Sequence, residues 1–293
     1  MSWLLLLLVW IGLSFSLDPV KVMYLDHRLR EKDFEKAVKL VKNRMEEEGL
    51  KVARVLKVSD AIRSRGVKDF PHYYILFGCT SPQVSDLLVK APALSNLLPC
   101  SVALYQGQSG ALHATILNPY PFLIKYADRL SKEERAWVLS TYSKLNGLLN
   151  SLSVRPVRMT KIKPLKEDLV KETVVNLGYD DVKMLLKSSL DGVNMNVLDV
   201  MDMREKTPRF SIFLTCNLSY GEVILKRVPQ FGTLAPCRVY TYEKDNGSTV
   251  IGYVNIPLLI KIYRKHLMED QAKIFEKADE DIEKAIREVA GSN

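Results

Sequence analysis

The sequence predicts an α+β protein built from two homologous two-layer domains. Each reads β-α-β-β-α-β-β, an antiparallel sheet with helices on one face, and long connecting and C-terminal helices follow. Three observations carry this. Residues 71–126 lie over residues 208–263 without a gap, with identical residues at matching places, among them Cys79/Cys216, Cys100/Cys237, Tyr105/Tyr242, Gly110/Gly247 and Asn118/Asn255. Within each copy the apolar period switches between two and 3.6 residues, as strand and helix alternate. A long helical pattern follows each copy. With 293 residues, 47% hydrophobic and 26% charged, the chain is long enough for two globular domains.

The elements follow in order. Residues 3–17 (WLLLLLVWIGLSFSL) carry no charge. As a helix they span roughly 22 Å, short of the ~30 Å hydrocarbon core, so residues 1–17 read as a signal peptide, with a membrane anchor as the alternative. The first copy is assigned to residues 18–152. Residues 20–29 alternate as a strand, and Asp33 is placed to cap a helix over 34–48 whose apolar residues Phe34, Ala37, Val38, Val41 and Met45 share one face. Gly49 ends that helix. Strands are expected at 52–58 and 73–79, a basic loop at 63–68, and a helix opened by Ser81-Pro82. Residues 100–105 and 112–117 pair as a hairpin. A helical pattern over 120–152 breaks near Ser131, where Glu134 completes a capping box.

Residues 153–169 form a basic, proline-bounded linker, read as solvated. The second copy, 170–293, repeats the order: strand 170–176, helix 179–190, strand 209–216, helix 220–227, and a hairpin turning at Asp245-Asn246-Gly247. Residues 197–202 (VLDVMD) echo 55–60 (VLKVSD). The last helical pattern, 258–289, has a Glu/Lys-rich second half that reads as a solvated face, and packing within the chain is its expected role.

The Leu-x-Pro-Cys turn, the Val-x-x-Tyr strand after it, the turn Gly and the Asn closing the hairpin resemble the DUF302 family. The lead-in Glu47-Glu48-Gly49-Leu50-Lys51-Val52 fits the same family, and the resemblance spans roughly 20–126 and 170–263, leaving the terminal helices uncovered. It implies a tandem of compact α+β domains, found mostly in bacteria and archaea, with no established activity and no assigned catalytic residue. The second copy departs in carrying Gly178 where the first has charged residues before its first helix.

Chemistry has few places to reside. All four cysteines fall on the repeat as Cys-x20-Cys. In an exported protein the symmetric pairing among three connectivities is Cys79–Cys100 and Cys216–Cys237, each contributing roughly 3 kcal/mol. Buried free thiols are the alternative, and a cysteine redox pair or a metal site built from both pairs is the functional one. A cytosolic hyperthermophile would also keep disulfides. The four histidines, His27, His72, His113 and His266, match no counterpart across the repeat, and no hydrolase, zincin, Walker or dinucleotide motif is present. The repeated polar residues Tyr105, Asn118, Tyr242 and Asn255 are therefore the candidate ligand-binding positions, with packing and capping as the structural explanation.

The leading functional expectation is a non-enzymatic, exported or membrane-attached binding protein for a small-molecule or protein ligand, extracytoplasmic, with its site within or between the repeats. The second is a cysteine-dependent redox, metal or haem protein. The third is a polyanion binder, suggested by the net charge of +8. Nucleic acid is disfavoured because no aromatic residues interleave with the basic linker. A membrane surface fits the leader, whereas no cofactor and no oligomeric state follow from the sequence.

Overall fold

A computed structural model describes residues 18–79, 81–161, 167–234 and 237–291. The expected leader lies outside them. Domain 1 begins with a short helix, α1 (Pro19–Met23), where alternation predicted strand. Asp18 caps it, accepting from the Val20 amide at 3.0 Å, and Pro19 stands at its first position. The chain then runs through β1 (Tyr24–Arg28), α2 (Phe34–Glu47), β2 (Val52–Leu56), α3 (Val58–Ser64), β3 (Tyr73–Gly78), α4 (Pro82–Lys90), β4 (Cys100–Gln106), β5 (Leu112–Leu117), α5 (Tyr120–Lys125) and α6 (Lys132–Leu152). Domain 2 follows with β6 (Val170–Val175), α7 (Tyr179–Gly192), β7 (Asn196–Arg204), β8 (Phe210–Cys216), α8 (Leu218–Arg227), β9 (Cys237–Glu243), β10 (Thr249–Val254), α9 (Ile256–Tyr263) and α10 (Glu269–Ala290). Short 3-10 turns, Pro92–Asn96 and Pro229–Thr233, stand between α4 and β4 and between α8 and β9.

Each domain holds a five-stranded antiparallel sheet, in the orders β1-β5-β4-β3-β2 and β6-β10-β9-β8-β7. The outer face of each is covered by its own helices. Tyr74 donates to Glu35 of α2 at 3.0 Å, and Tyr253 donates to Asp279 of α10 at 2.9 Å. Because side chains alternate along a strand, the neighbours of these tyrosines face the other way. The long helices therefore pack within the chain, as expected. Two acidic residues of α10 are not solvated, however. Asp279 is buried against Lys171 at 2.8 Å, and Asp281 against Tyr220 at 2.8 Å and Lys277 at 2.7 Å.

The inner faces are closed by an exchange. The turn Pro229–Thr233 of domain 2 lies on β4 and β5, while the turn Pro92–Asn96 of domain 1 lies on β9 and β10. Ser101 donates to the Thr233 carbonyl at 2.7 Å, and Tyr73 donates to the Pro229 carbonyl. Reciprocally Arg238, the counterpart of Ser101, donates to the carbonyls of Ser95 at 2.6 Å and Pro99 at 3.0 Å. An Arg54–Asp199 ion pair joins β2 to β7, the last strand of each sheet.

The echo between 55–60 and 197–202 breaks in structure. Residues 58–64 are helix α3, whereas β7 continues as strand to Arg204. Copy 1 has a longer connection here, and α3 uses it to pack on α8 of domain 2. The linker is held too: Val157 exchanges hydrogen bonds with Asn150 and accepts from Asn146 of α6. Residues 162–166 fall outside the described set.

Candidate functional site

The four repeated polar residues do not form one pocket. In the β4/β5 hairpin Tyr105 pairs with His113, whereas Asn118 follows the far end of β5. Five residues of strand separate them, roughly 17 Å at 3.4 Å per residue. The asparagines have a matched structural task. Asn118 donates to the Val22 and Thr160 carbonyls at 2.8 Å and accepts from the Tyr120 amide at 3.3 Å. Asn255 donates to the Asp168 carbonyl at 2.9 Å and accepts from the Leu258 amide at 3.1 Å. Each ties the start of its domain's first strand to the end of its fifth and satisfies a helix N-terminus.

Tyr105 has a different partner. Its hydroxyl donates to Asp26 Oδ1 at 2.8 Å on the inner face of sheet 1. His113 Nδ1 lies 3.0 Å from Asp26 Oδ2, Thr115 donates to Asp26 as well, and the His113 ring stacks on Tyr105 with centroids 5.2 Å apart. The Asp26 carboxyl remains 28% exposed. Burial acts to raise its pKa, but hydrogen bonding and charge from His113, with Thr115 and Tyr105, more than offset this and hold it below the usual carboxylate range. Three donors thus converge on one carboxylate. Asp26 and Thr115 were absent from the candidates read in the sequence. Their signal was polar residues at alternating positions, 113 and 115, on an apolar strand opposite an Asp in β1.

Domain 2 builds a reduced version. Glu172 occupies the place of Asp26, Gly252 that of Thr115, and Val250 that of His113. Tyr240, not Tyr242, donates to Glu172, at 2.8 Å. Its ring occupies the space that a side chain at Gly252 would need. Tyr242 stacks on Phe210 with centroids 6.0 Å apart, and burial pushes its hydroxyl up to about 12.

Asp26 opens into a cleft of ≈ 680 Å³ between the domains. Tyr24 lines it beside Asp26, and Lys21, Arg227, Lys265 and His266 bring positive or titratable groups to its walls. His266 is paired with Asp18 at 3.0 Å. Lys21, Arg227 and Lys265 have no ion pair or side-chain hydrogen bond among the described residues. The cleft thus sets two hydrogen-bonded carboxylates, Asp26 and Asp18, against three cations that have no such partner among the described residues.

The cysteines divide. Cys79 and Cys100 form a disulfide, with Cα atoms 5.4 Å apart. Cys79 adopts φ 62°, a left-handed backbone that a non-glycine residue rarely takes. Cys216 and Cys237, expected to bridge in the same way, are free thiols. Cys216 ends β8 without the left-handed turn found at Cys79. Burial pushes Cys216 up to about 12 and Cys237 up to about 11.

Taken together, the structure is a pair of duplicated α+β domains with exchanged inner-face turns and a charged cleft between them. The chain belongs to the DUF302 family, "Domain of unknown function DUF302", which it matches over residues 25–152 and 171–289. The match reaches through α6 and α10, so the long helices are part of the family unit and not additions to it. An uncharacterized protein of Aquifex aeolicus is 54% identical over 123 residues, 42% of this chain and 85% of that protein. The crystal structure of an uncharacterized conserved DUF302 protein from Bacillus stearothermophilus covers 42% of this chain and 99% of its own, at 16% identity and a TM-score of 0.37.

Proposed function

We propose that this chain is a tandem-domain binding protein whose ligand, a small anionic or zwitterionic molecule, occupies the interdomain cleft. The observation that supports it is the convergence of Lys21, Arg227 and Lys265 on the exposed edge of the Asp26 network. Cations without partners can take an acidic group, and Asp26 can accept from an amine or hydroxyl at the other end. The cleft walls come from both repeats, which gives the duplication a role. We further propose that the protein acts outside the cytoplasm, exported or held at the membrane by residues 1–17. The Cys79–Cys100 disulfide supports this, since such bonds persist in oxidising compartments. Among the described residues no helix is long and apolar enough to cross a membrane.

The test is thermal-shift and calorimetric titration with inorganic phosphate, succinate and L-glutamate, on wild type and on Arg227→Ala and Asp26→Asn. Arg227→Ala is expected to weaken every ligand. Asp26→Asn is expected to weaken the amine-bearing one selectively. Binding that survives Arg227→Ala unchanged places the ligand elsewhere. A log-log salt slope of many charges would instead favour a polyanion.

A further inference from the structure

The free cysteines of domain 2 face an empty space. Cys216 and Cys237 line an apolar cavity of ≈ 80 Å³, walled by residues such as Leu225, Phe231, Leu259 and Phe275. Met195 also lines it. Met195 follows α7 as Leu50 follows α2: the Met195 amide donates to the Leu190 carbonyl at 3.0 Å, and the Leu50 amide to the Met45 carbonyl at 2.8 Å. At corresponding positions copy 1 therefore has a disulfide and Leu50, and copy 2 has two thiols and Met195. Pairing of Thr215 with Cys237 sets Cys216 and Cys237 at the adjoining ends of β8 and β9.

We propose that this cavity is a Cu(I) site in which Cys216 and Cys237 bind as thiolates and Met195 supplies a third, thioether ligand. Two thiolates and a thioether form a soft donor set, which selects Cu(I) over harder ions. Zinc would need four nitrogen, oxygen or thiolate ligands. Among the described residues no group of three or more His, Cys, Asp or Glu side chains could hold a metal. The space suits a bare ion and is far too small for a haem.

No electron moves in the binding step. Each thiol loses its proton, two S–Cu bonds form, and the product is a bis-thiolate complex of net charge −1 with two protons released. Compensation is at hand: the Arg65 guanidinium, carried in from domain 1, acts on Cys216 and hydrogen-bonds Ser219 at 2.9 Å. Arg65 also lines a polar vestibule of ≈ 440 Å³ with Asn194 and Asn196, and this vestibule shares Asn217 and Tyr220 with the cavity.

This inference does not depend on the interdomain cleft, and either can fail alone. The test is an anaerobic titration of the full chain, with the Cys79–Cys100 bridge intact, against Cu(I) held by the chromophoric chelator bicinchoninate. One Cu(I) per chain is expected, with a thiolate-to-copper absorption in the near ultraviolet. Because two protons leave, affinity should fall about a hundredfold per pH unit of acidification. Cys216→Ser and Cys237→Ser should each abolish uptake. Arg65→Ala should weaken it about 10–100-fold as an outer-shell change. Met195→Leu, which installs the residue copy 1 uses, should fold normally and still bind at least about tenfold more weakly, so the proposal stays testable if the serine variants unfold. It is overturned if the protein takes no Cu(I) from the chelator, if Cys216→Ser or Met195→Leu takes it as wild type does, or if Cys216 and Cys237 are bridged in the native protein.

Discussion

His27 sits on the outer face of sheet 1, wholly buried, beside Asn146 and Asn150 of α6. Burial lowers its pKa to about 4. The unfolded imidazole titrates near ~6.5, so between about pH 6.5 and 4 the unfolded chain binds the extra proton. Stability is full above that window and is drawn down as pH falls through it, by up to about 3 kcal/mol. Urea melts at pH 7 and pH 4.5 should show this loss in wild type. They should show it much reduced in His27→Thr, the residue domain 2 carries as Thr173. Asp26 acts in a lower window. Its depressed carboxyl contributes stability that is present above ~4 and lost as pH falls through its folded value. Asp26→Asn should therefore cost about 1–3 kcal/mol at pH 7, where three donors lose a charged acceptor, and progressively less as pH falls through the folded-state value of Asp26.

At the scale of elements, apolar periodicity located α2, the capping box of α6 at Ser131 and Glu134, and both hairpins. It failed where a local pattern was overruled from outside. Val58-Ser59-Asp60 resembles a strand of copy 2, but a longer connection lets it coil into α3 and meet α8. The candidate site was half legible for the same reason. Repetition drew attention to Tyr105 and Asn118, and strand register then sent them to opposite ends of one hairpin. Asp26 and Thr115 were hidden because neither has an identical counterpart, Glu172 and Gly252 standing in their places. The turn Pro229–Thr233 makes a testable element. A Cβ at Gly232 would overlap the Tyr73 ring, which is itself wholly buried and bonded to the Pro229 carbonyl. Gly232→Ala should destabilise by about 1–3 kcal/mol through overpacking. In a double-mutant cycle with Tyr73→Leu most of that cost should vanish, and additivity would show that the clash is relieved some other way.

At the scale of the molecule, the two domains hold each other by exchange, and nothing in the local sequence announces it, since the partners lie in different repeats. Arg238 is the largest wholly buried side chain among the described residues. It carries a charge into the interface with no carboxylate partner among the described residues, held by two carbonyls of domain 1 and by the Phe77 ring at 5.3 Å. Burial draws its pKa down to about 10, which still leaves it charged at neutral pH. Arg238→Ala removes the unfavourable buried charge, but it leaves the Ser95 and Pro99 carbonyls without donors and opens a cavity. Each orphaned carbonyl costs about 1–3 kcal/mol, so a net loss of several kcal/mol in coupling between the domains is expected. Ser101→Ala, which frees one carbonyl and little volume, should cost about 1 kcal/mol. Calorimetry should show one cooperative transition in wild type. Arg238→Ala should separate it into two, with the van't Hoff enthalpy falling below the calorimetric one. A single transition merely shifted to lower temperature would mean that the exchanged turns and the Arg54–Asp199 pair couple the domains without Arg238.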